Sequence, residues 1–188
     1  MPLGSARFGL LGGAELGSLK LIETQTASNV ATLDFTSIQE STYDVHLLVY
    51  NNAIPIDDGK RLAMRLYESG TLETGTVYSS VHQFNRTGAN AEIRAVNVDY
   101  IRLGVNTNTD VAGESDNGYA YIYHAGDTNK FTTITSHHAG SYYNGNDYTT
   151  EFGGAILPQA SVVDGIRLYM FNSGNIQNCT ASLYGVSS

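Results

Sequence analysis

The chain has 188 residues, a formal net charge of −8 and a single cysteine, Cys179. Its charged fraction is 15%, with 20 glycines, 13 tyrosines and no tryptophan, a composition that favours one all-β domain with many turns. The negative charge disfavours nucleic acid as a partner, and one thiol excludes both an intrachain disulfide and a zinc site built from several thiolates.

The N-terminal segment, residues 1–17, contains five glycines and one proline without any period. Its apolar run is too short for an export signal, and no later stretch approaches the roughly 20 apolar residues of a membrane span. We therefore expect a soluble protein that folds in a cytoplasm. A flexible terminus is one interpretation of such a glycine-rich segment. We favour an extended arm that docks on this chain or a neighbour through Arg7, Phe8, Leu10 and Leu11.

The remainder, residues 18–188, is expected to be a single β-sandwich domain. Segments in which apolar and polar residues alternate predict about ten strands. Before the closing ribbon they are residues 19–24, 30–36, 43–50, 61–68, 76–84, 96–105, 119–124, 131–137 and 148–157. Turns are predicted at residues 27–29 and after Pro55, and an irregularity near Tyr100. This spacing predicts an all-β, antiparallel two-sheet sandwich, and among such folds we favour a jelly roll.

The closing ribbon, residues 165–186, shows the clearest alternation and reads as two strands joined by a turn at residues 172–175. Asparagine, serine and glycine in that turn tolerate a positive φ. Two strands do not stay folded alone, so the ribbon must pack on an earlier sheet. Cys179 falls on an apolar row, which predicts a buried and inert thiol.

The positions of the histidines in the sequence do not predict a metal site. His137 and His138 are adjacent on a predicted strand, so their side chains point to opposite faces and do not share one ion. A third ligand such as His124 or Asp147 could join only one of them. Neither a Gly-x-Ser-x-Gly elbow nor a glycine-rich phosphate loop occurs.

Acidic residues leave two further alternatives. Asp57 and Asp58 and the loop 110–116 hold carboxylates, but neither follows the spacing of a calcium loop. Glycoside hydrolysis needs a pair of acids, for which Glu114, Asp116 or Glu151 are conceivable members, although nothing in the spacing fixes their separation. We expect no catalytic residue, no metal and no cofactor.

Tyr119, Tyr121 and Tyr123 alternate, which places their three rings on one face of a strand. Such a row can stack on sugar rings, fill a subunit interface or line the core. We favour core or interface, and the absence of tryptophan weakens the sugar interpretation.

Four short segments carry a resemblance: MPLGSARFG at residues 1–9, STYDVH at 41–46, LPQAS at 157–161 and SLYGV at 182–186. Over nearly its whole length the chain resembles small, mostly uncharacterised structural proteins of marine tailed bacteriophages. The resemblance implies a virion component made in the cytoplasm of a bacterial host. It transfers no catalytic or binding residue.

Two roles in a virion suit this resemblance. The first, which we favour, is a decoration or cement protein, a homotrimer that binds the major capsid protein on the outer surface of the head. The second is a tail appendage or fibre tip that recognises the host surface through the loops 106–118 and 138–148. A carbohydrate-active enzyme or carbohydrate-binding module is a remote alternative.

Deleting residues 1–17 tests the arm. If the arm docks on neighbouring capsomers, the truncated chain should fold but no longer occupy expanded capsids. Circular dichroism measures folding, and co-sedimentation with capsids measures occupancy. Unchanged occupancy would count against the arm.

Overall fold

The computed structural model describes residues 18–107, 113–142 and 147–187, so the arm and its residues Arg7, Phe8, Leu10 and Leu11 lie outside the described residues. Thirteen β-strands and no helix occur in the described part. The strands are β1 Leu19–Val30, β2 Thr32–Phe35, β3 Val45–Pro55, β4 Arg61–Glu68, β5 Thr71–Leu72, β6 Tyr78–Arg86, β7 Ala89–Val98, β8 Ile101–Arg102, β9 Asp116–Tyr123, β10 Thr132–Tyr142, β11 Asp147–Leu157, β12 Val163–Phe171 and β13 Ile176–Val186.

The strands form two antiparallel sheets. The larger has eight strands in the order β1-β13-β3-β9-β10-β11-β6-β7, and the smaller has the order β2-β12-β4-β5 with β8 paired to β4. The predicted all-β fold with two antiparallel sheets is confirmed, and a sandwich is consistent with it. The jelly-roll connectivity stays a prediction.

The core lies between the inward rows of the two sheets, because successive side chains on a strand alternate between faces. From the smaller sheet it takes Leu62, Met64, Leu66, Ile166, Leu168 and Met170, and from the larger sheet Leu48, Ile122, Cys179, Ala181 and Leu183. Burial, with a contribution from Asp116, raises the pKa of the Cys179 thiol to about 12. The thiol is therefore protonated and buried, as the sequence predicts.

The closing ribbon is not a hairpin. Its first strand, β12, pairs with β2 and β4, whereas its second strand, β13, pairs with β1 and β3. The turn between them does contain the predicted positive φ values, at Asn172, Ser173 and Gly174. It carries the chain from one sheet to the other, so the two apolar rows face each other across the core instead of lying side by side.

The predicted turn at residues 27–29 lies within β1, which continues to Val30. Ala27 is buried against the core and keeps the strand alternation, and only Asn29 takes a left-handed φ. The polar residues here belong to an exposed edge strand, and the sequence pattern alone does not distinguish such a strand from a turn.

The predicted strand 96–105 is divided between two sheets. The start of the predicted strand belongs to β7, an edge strand that begins at Ala89. Because β7 is mostly exposed, its first half has no row of apolar residues by which the sequence could reveal it. The end of the predicted strand contains β8, which pairs with β4 in the smaller sheet. The irregularity predicted near Tyr100 is the point at which the chain crosses between the sheets.

Gly118 on β9 allows a close approach of neighbouring strands. A Cβ atom there would lie 2.5 Å from the Tyr50 hydroxyl oxygen and 2.6 Å from the His137 carbonyl oxygen. Gly88, in the turn between β6 and β7, has no atom of the described residues within 4 Å of the same position.

Gly118→Ala is therefore expected to destabilise the fold by about 1–3 kcal/mol, because the added methyl group overpacks the core side of the sheet. Gly88→Ala is the matched control and should change stability by about 0.5 kcal/mol or less. Urea unfolding of both variants measures the difference. Equal losses of stability in the two variants would contradict a specific overpacking effect at Gly118.

Candidate functional site

The sandwich contains an ionisable cluster, which we define as His82, Arg102, Asp116, His138 and Glu151. All five side chains are buried. Glu151 lies on the inner face of β11, and its two carboxylate oxygens accept hydrogen bonds from Nε of Arg102, at 2.7 and 2.9 Å. Arg102 comes from β8 in the smaller sheet, so this ion pair joins the two layers.

Strand register brings the two histidines to Glu151. His138 is directly opposite Glu151 on β10, and its Nε2 lies 3.6 Å from Oε2. His82 on β6 is opposite Gly153, and its Nδ1 lies 3.3 Å from Oε1 of Glu151. Gly153 makes room for this ring, since a Cβ atom there would lie 2.8 Å from Cγ of His82.

The cluster holds one buried ion pair beside a neutral histidine. Burial alone raises the pKa of Glu151, but His138 and Arg102 outweigh it and hold that pKa below its ordinary value. Burial lowers the pKa of His82 to about 4, against the opposing pull of Glu151. At neutral pH the charges of Arg102 and Glu151 therefore compensate each other, as buried charges must.

Asp116 is the remaining carboxyl of the cluster. Its Oδ2 accepts a hydrogen bond from the backbone N–H of Val105 at 3.0 Å, while Oδ1 is buried without a hydrogen-bond partner among the described residues. Burial raises the pKa of Asp116 to about 7. Beside it, the Tyr50 hydroxyl donates to the carbonyl of Leu103.

Two of the three acids considered for glycoside hydrolysis, Asp116 and Glu151, thus lie in one cluster, and Glu114 is buried as well. A substrate would reach the two cluster acids only by opening the sandwich. Within the described ranges, no group of three or more histidine, cysteine, aspartate or glutamate residues is arranged to hold a metal ion. His138 faces inward and His137 outward, as their adjacency predicts.

Asp116 and His82 should give opposite pH dependences of stability. The pKa of Asp116 is about 7 in the fold against an ordinary 3.8, so its contribution to stability falls as pH rises from about 4 to 7. The pKa of His82 is about 4 against an ordinary 6.5, so its contribution falls as pH drops from about 6.5 to 4. Relative to the parent chain, Asp116→Asn should gain stability as pH rises and His82→Gln as pH falls.

Urea unfolding of the parent chain and both variants, at intervals from about pH 4 to about pH 8, measures these slopes. The difference in free energy of unfolding, variant minus parent, should have opposite slopes for the two substitutions. Parallel curves for all three chains would contradict the assignment.

The outer face of the larger sheet, which is the side turned away from the smaller sheet, carries three in-register rows, two of which consist mostly of apolar and tyrosine side chains. The central row runs Leu21, Tyr184, Leu47, Tyr121, Thr135, Gly154 and Val81. The flanking rows include Leu19, Val186, Val45, Tyr123 and Ile156 on one side and Val49, Tyr119, His137 and Phe152 on the other. An outer face of this composition is unusual, because antiparallel sheets normally turn polar side chains to water.

The three tyrosines predicted to share a face do so, on this outer face. Tyr119 is 41% exposed, and Tyr121 and Tyr123 are half-buried, so the row does not line the core. Its use as a subunit interface stays a prediction.

A groove follows this row, and we call it the tyrosine groove. Its side chains are Tyr119, Tyr121, Tyr123, Thr135, His137 and Phe152, and its volume is about 540 Å³. The groove is deepest along the central row at Thr135, whose short side chain lies opposite the larger ring of Tyr121. Sequence alternation predicts the tyrosine row, but it does not predict which residues lie beside that row.

A second feature of the outer face is the β1 margin, which we define as Leu19 and Leu21. These side chains are 51% and 59% exposed on the edge strand β1, which is 12 residues long and pairs only with β13 within the described chain. The opposite edge strand, β7, carries the charged pair Glu92 and Arg94, with Nε of Arg94 2.5 Å from the carboxylate. Alternation predicts a strand at residues 19–24 but does not indicate that this strand is an exposed edge.

Comparison of the chain with family models, with curated proteins and with solved structures gives no significant match. In the part of the chain that the structure describes, no helix is long and apolar enough to cross a membrane.

Proposed function

We propose that the chain is a non-enzymatic structural protein of a tailed-phage virion, and that it decorates the outer surface of the capsid. The observation that carries this proposal is the β1 margin, where two half-exposed leucines lie on either side of Lys20, on a long edge strand that pairs only with β13 among the described residues. Natural proteins protect such edges with charges, prolines or covering segments, because an open edge pairs with other strands. An edge left open in this way is suited to attachment.

Attachment through β1 combines two interactions. The free edge of the strand offers backbone N–H and C=O groups to an added strand, and Leu19 and Leu21 offer apolar surface. About half of each leucine side chain remains to be buried, which would contribute about 1 kcal/mol per leucine. Since the contact is at the β1 margin of the outer face, it leaves the tyrosine groove free.

The partner that we propose is the major capsid protein, with further contacts between copies of this chain in a trimer. Residues 1–17 come just before β1 in the sequence. An arm that binds the capsid protein through Phe8, Leu10 and Leu11 would therefore enlarge the contact made by β1. A net charge of −8 suits a position on the outside of the head, away from the packaged DNA. Assembly would take place in the cytoplasm of the bacterial host.

Leu21→Asp should reduce capsid occupancy at least about tenfold, because it places a charge in the apolar contact. Val96→Asp is the matched control: Val96 is 69% exposed on β7, at the opposite edge of the same sheet. Co-sedimentation of each variant with expanded capsids measures occupancy, and thermal unfolding verifies the fold. Equal occupancy for both variants would overturn attachment through β1.

The second candidate, a tail appendage that recognises the host surface, is favoured by the tyrosine groove. Its predicted contact loop 138–148 is largely strand, since β10 extends to Tyr142 and β11 begins at Asp147. The outer face is therefore added to the predicted loop 106–118 as a candidate contact surface, and residues 108–112 and 143–146 of the two predicted loops lie outside the described residues. Purified protein should then adsorb to host cells and block infection, and absence of both effects at saturating dose would exclude this role.

A further inference from the structure

The tyrosine groove has a rigid aromatic wall. Ring centroids follow one another at 6.3 Å from Phe152 to His137, 5.9 Å from His137 to Tyr119, 5.9 Å from Tyr119 to Tyr121 and 6.3 Å from Tyr121 to Tyr123. The first three contacts are edge-to-face and the last is stacked. Each ring is therefore held by its neighbours, and the wall is preorganised for a ligand.

Polar groups accompany the aromatic wall. The Tyr123 hydroxyl lies 3.3 Å from Oγ1 of Thr135, which places two hydroxyl groups together at one side of the floor. Three tyrosines, one threonine and one histidine together supply both donors and acceptors. A few fixed polar groups on an otherwise apolar concave surface are the usual arrangement of a small-ligand site.

The tautomer of the neutral His137 ring follows from the hydrogen bond that its Nε2 makes. The hydroxyl of Thr150 donates to the carbonyl of His138 at 3.0 Å, so it accepts from Nε2 of His137 at 2.9 Å. In the neutral ring, Nδ1 is then left as an acceptor. The groove thus contains an acceptor suited to a ligand hydroxyl group.

Charge restricts the class of ligand. Among the described residues that line the groove, none is a carboxylate, a lysine or an arginine, while the whole chain carries a net charge of −8. An anionic ligand would therefore meet no cation in the groove and an unfavourable overall field. A ligand with hydroxyl groups, apolar ring faces and no charge matches both the wall and the floor.

We propose that the tyrosine groove binds a neutral glycan, with sugar rings against Tyr121, Tyr123 and Phe152 and sugar hydroxyls on Thr135 and His137. This site is separate from the β1 margin. On the order of 14 Å separates β1 from β9, since three inter-strand steps of about 4.8 Å lie between them. Glycan binding therefore neither requires nor prevents attachment through the sheet edge.

Titration of the full chain with neutral and anionic oligosaccharides tests the proposal. The neutral probes are laminarihexaose, agarohexaose and mannohexaose, and the anionic probe is an alginate hexasaccharide. Tyrosine emission reports binding directly, because the chain contains no tryptophan, and calorimetry gives the affinity. We expect saturable binding of at least one neutral probe and binding of the alginate probe that is at least about tenfold weaker.

Tyr121→Ala should weaken neutral binding at least about tenfold through loss of the aromatic wall. Tyr148→Ala is the matched control, because Tyr148 is 75% exposed on the same sheet but lies outside the groove. It should leave binding unchanged, and thermal unfolding verifies that both variants fold.

Three outcomes would overturn the proposal: no saturable binding of any neutral probe, stronger binding of alginate, or equal losses in the two variants. If no sugar binds but Tyr121→Ala lowers capsid occupancy, the groove is a protein contact instead. The proposed attachment is judged separately, by the Leu21→Asp and Val96→Asp variants. Failure of one proposal is therefore distinguishable from failure of the other.

Discussion

Antiparallel register across eight strands is the constraint on which both the core and the outer face depend. Because side chains alternate with a period of two, a shift of one residue in any strand would exchange its inner and outer rows. The register that buries Ile122 and Leu48 is the same register that aligns Tyr121 with Thr135 and Gly154 outside. The register that gives a packed core therefore also fixes the geometry of the groove, and no further interaction is needed to align its residues.

The ionisable cluster adds a second constraint on the same register. A buried ion pair contributes little net stability, but breaking one leaves an uncompensated charge in the core. Glu151 meets Arg102 only if β8 lies at its observed place on β4, so the pair favours a single arrangement of the two sheets. The protonation preferences of Asp116 and His82 oppose each other over mildly acidic pH, so their contributions partly cancel there.

The sequence pattern predicts the local features of this structure, but it does not predict the contacts between residues that are distant in the chain. Alternation was enough for most strands and for the shared face of Tyr119, Tyr121 and Tyr123, because both depend only on a period of two. It failed for the first half of β7 and for the predicted turn in β1, since exposed edge strands have no buried row to mark them. The groove and the Arg102–Glu151 pair depend on strand neighbours distant in sequence, 49 residues apart in the case of the pair. No local pattern contains that information.

The two surfaces that we propose as functional differ in the way in which they can be used. A partner lying flat on the outer face would cover both the β1 margin and the tyrosine groove. A partner added along the edge of β1 would instead continue the sheet, burying Leu19 and Leu21 while leaving the aromatic wall open to solvent. Edgewise attachment is also consistent with a difference between the two edges, since β7 carries the ion pair of Glu92 and Arg94 whereas β1 exposes two leucines on either side of Lys20. One sandwich can then be fixed to a large assembly and still present a binding face outward.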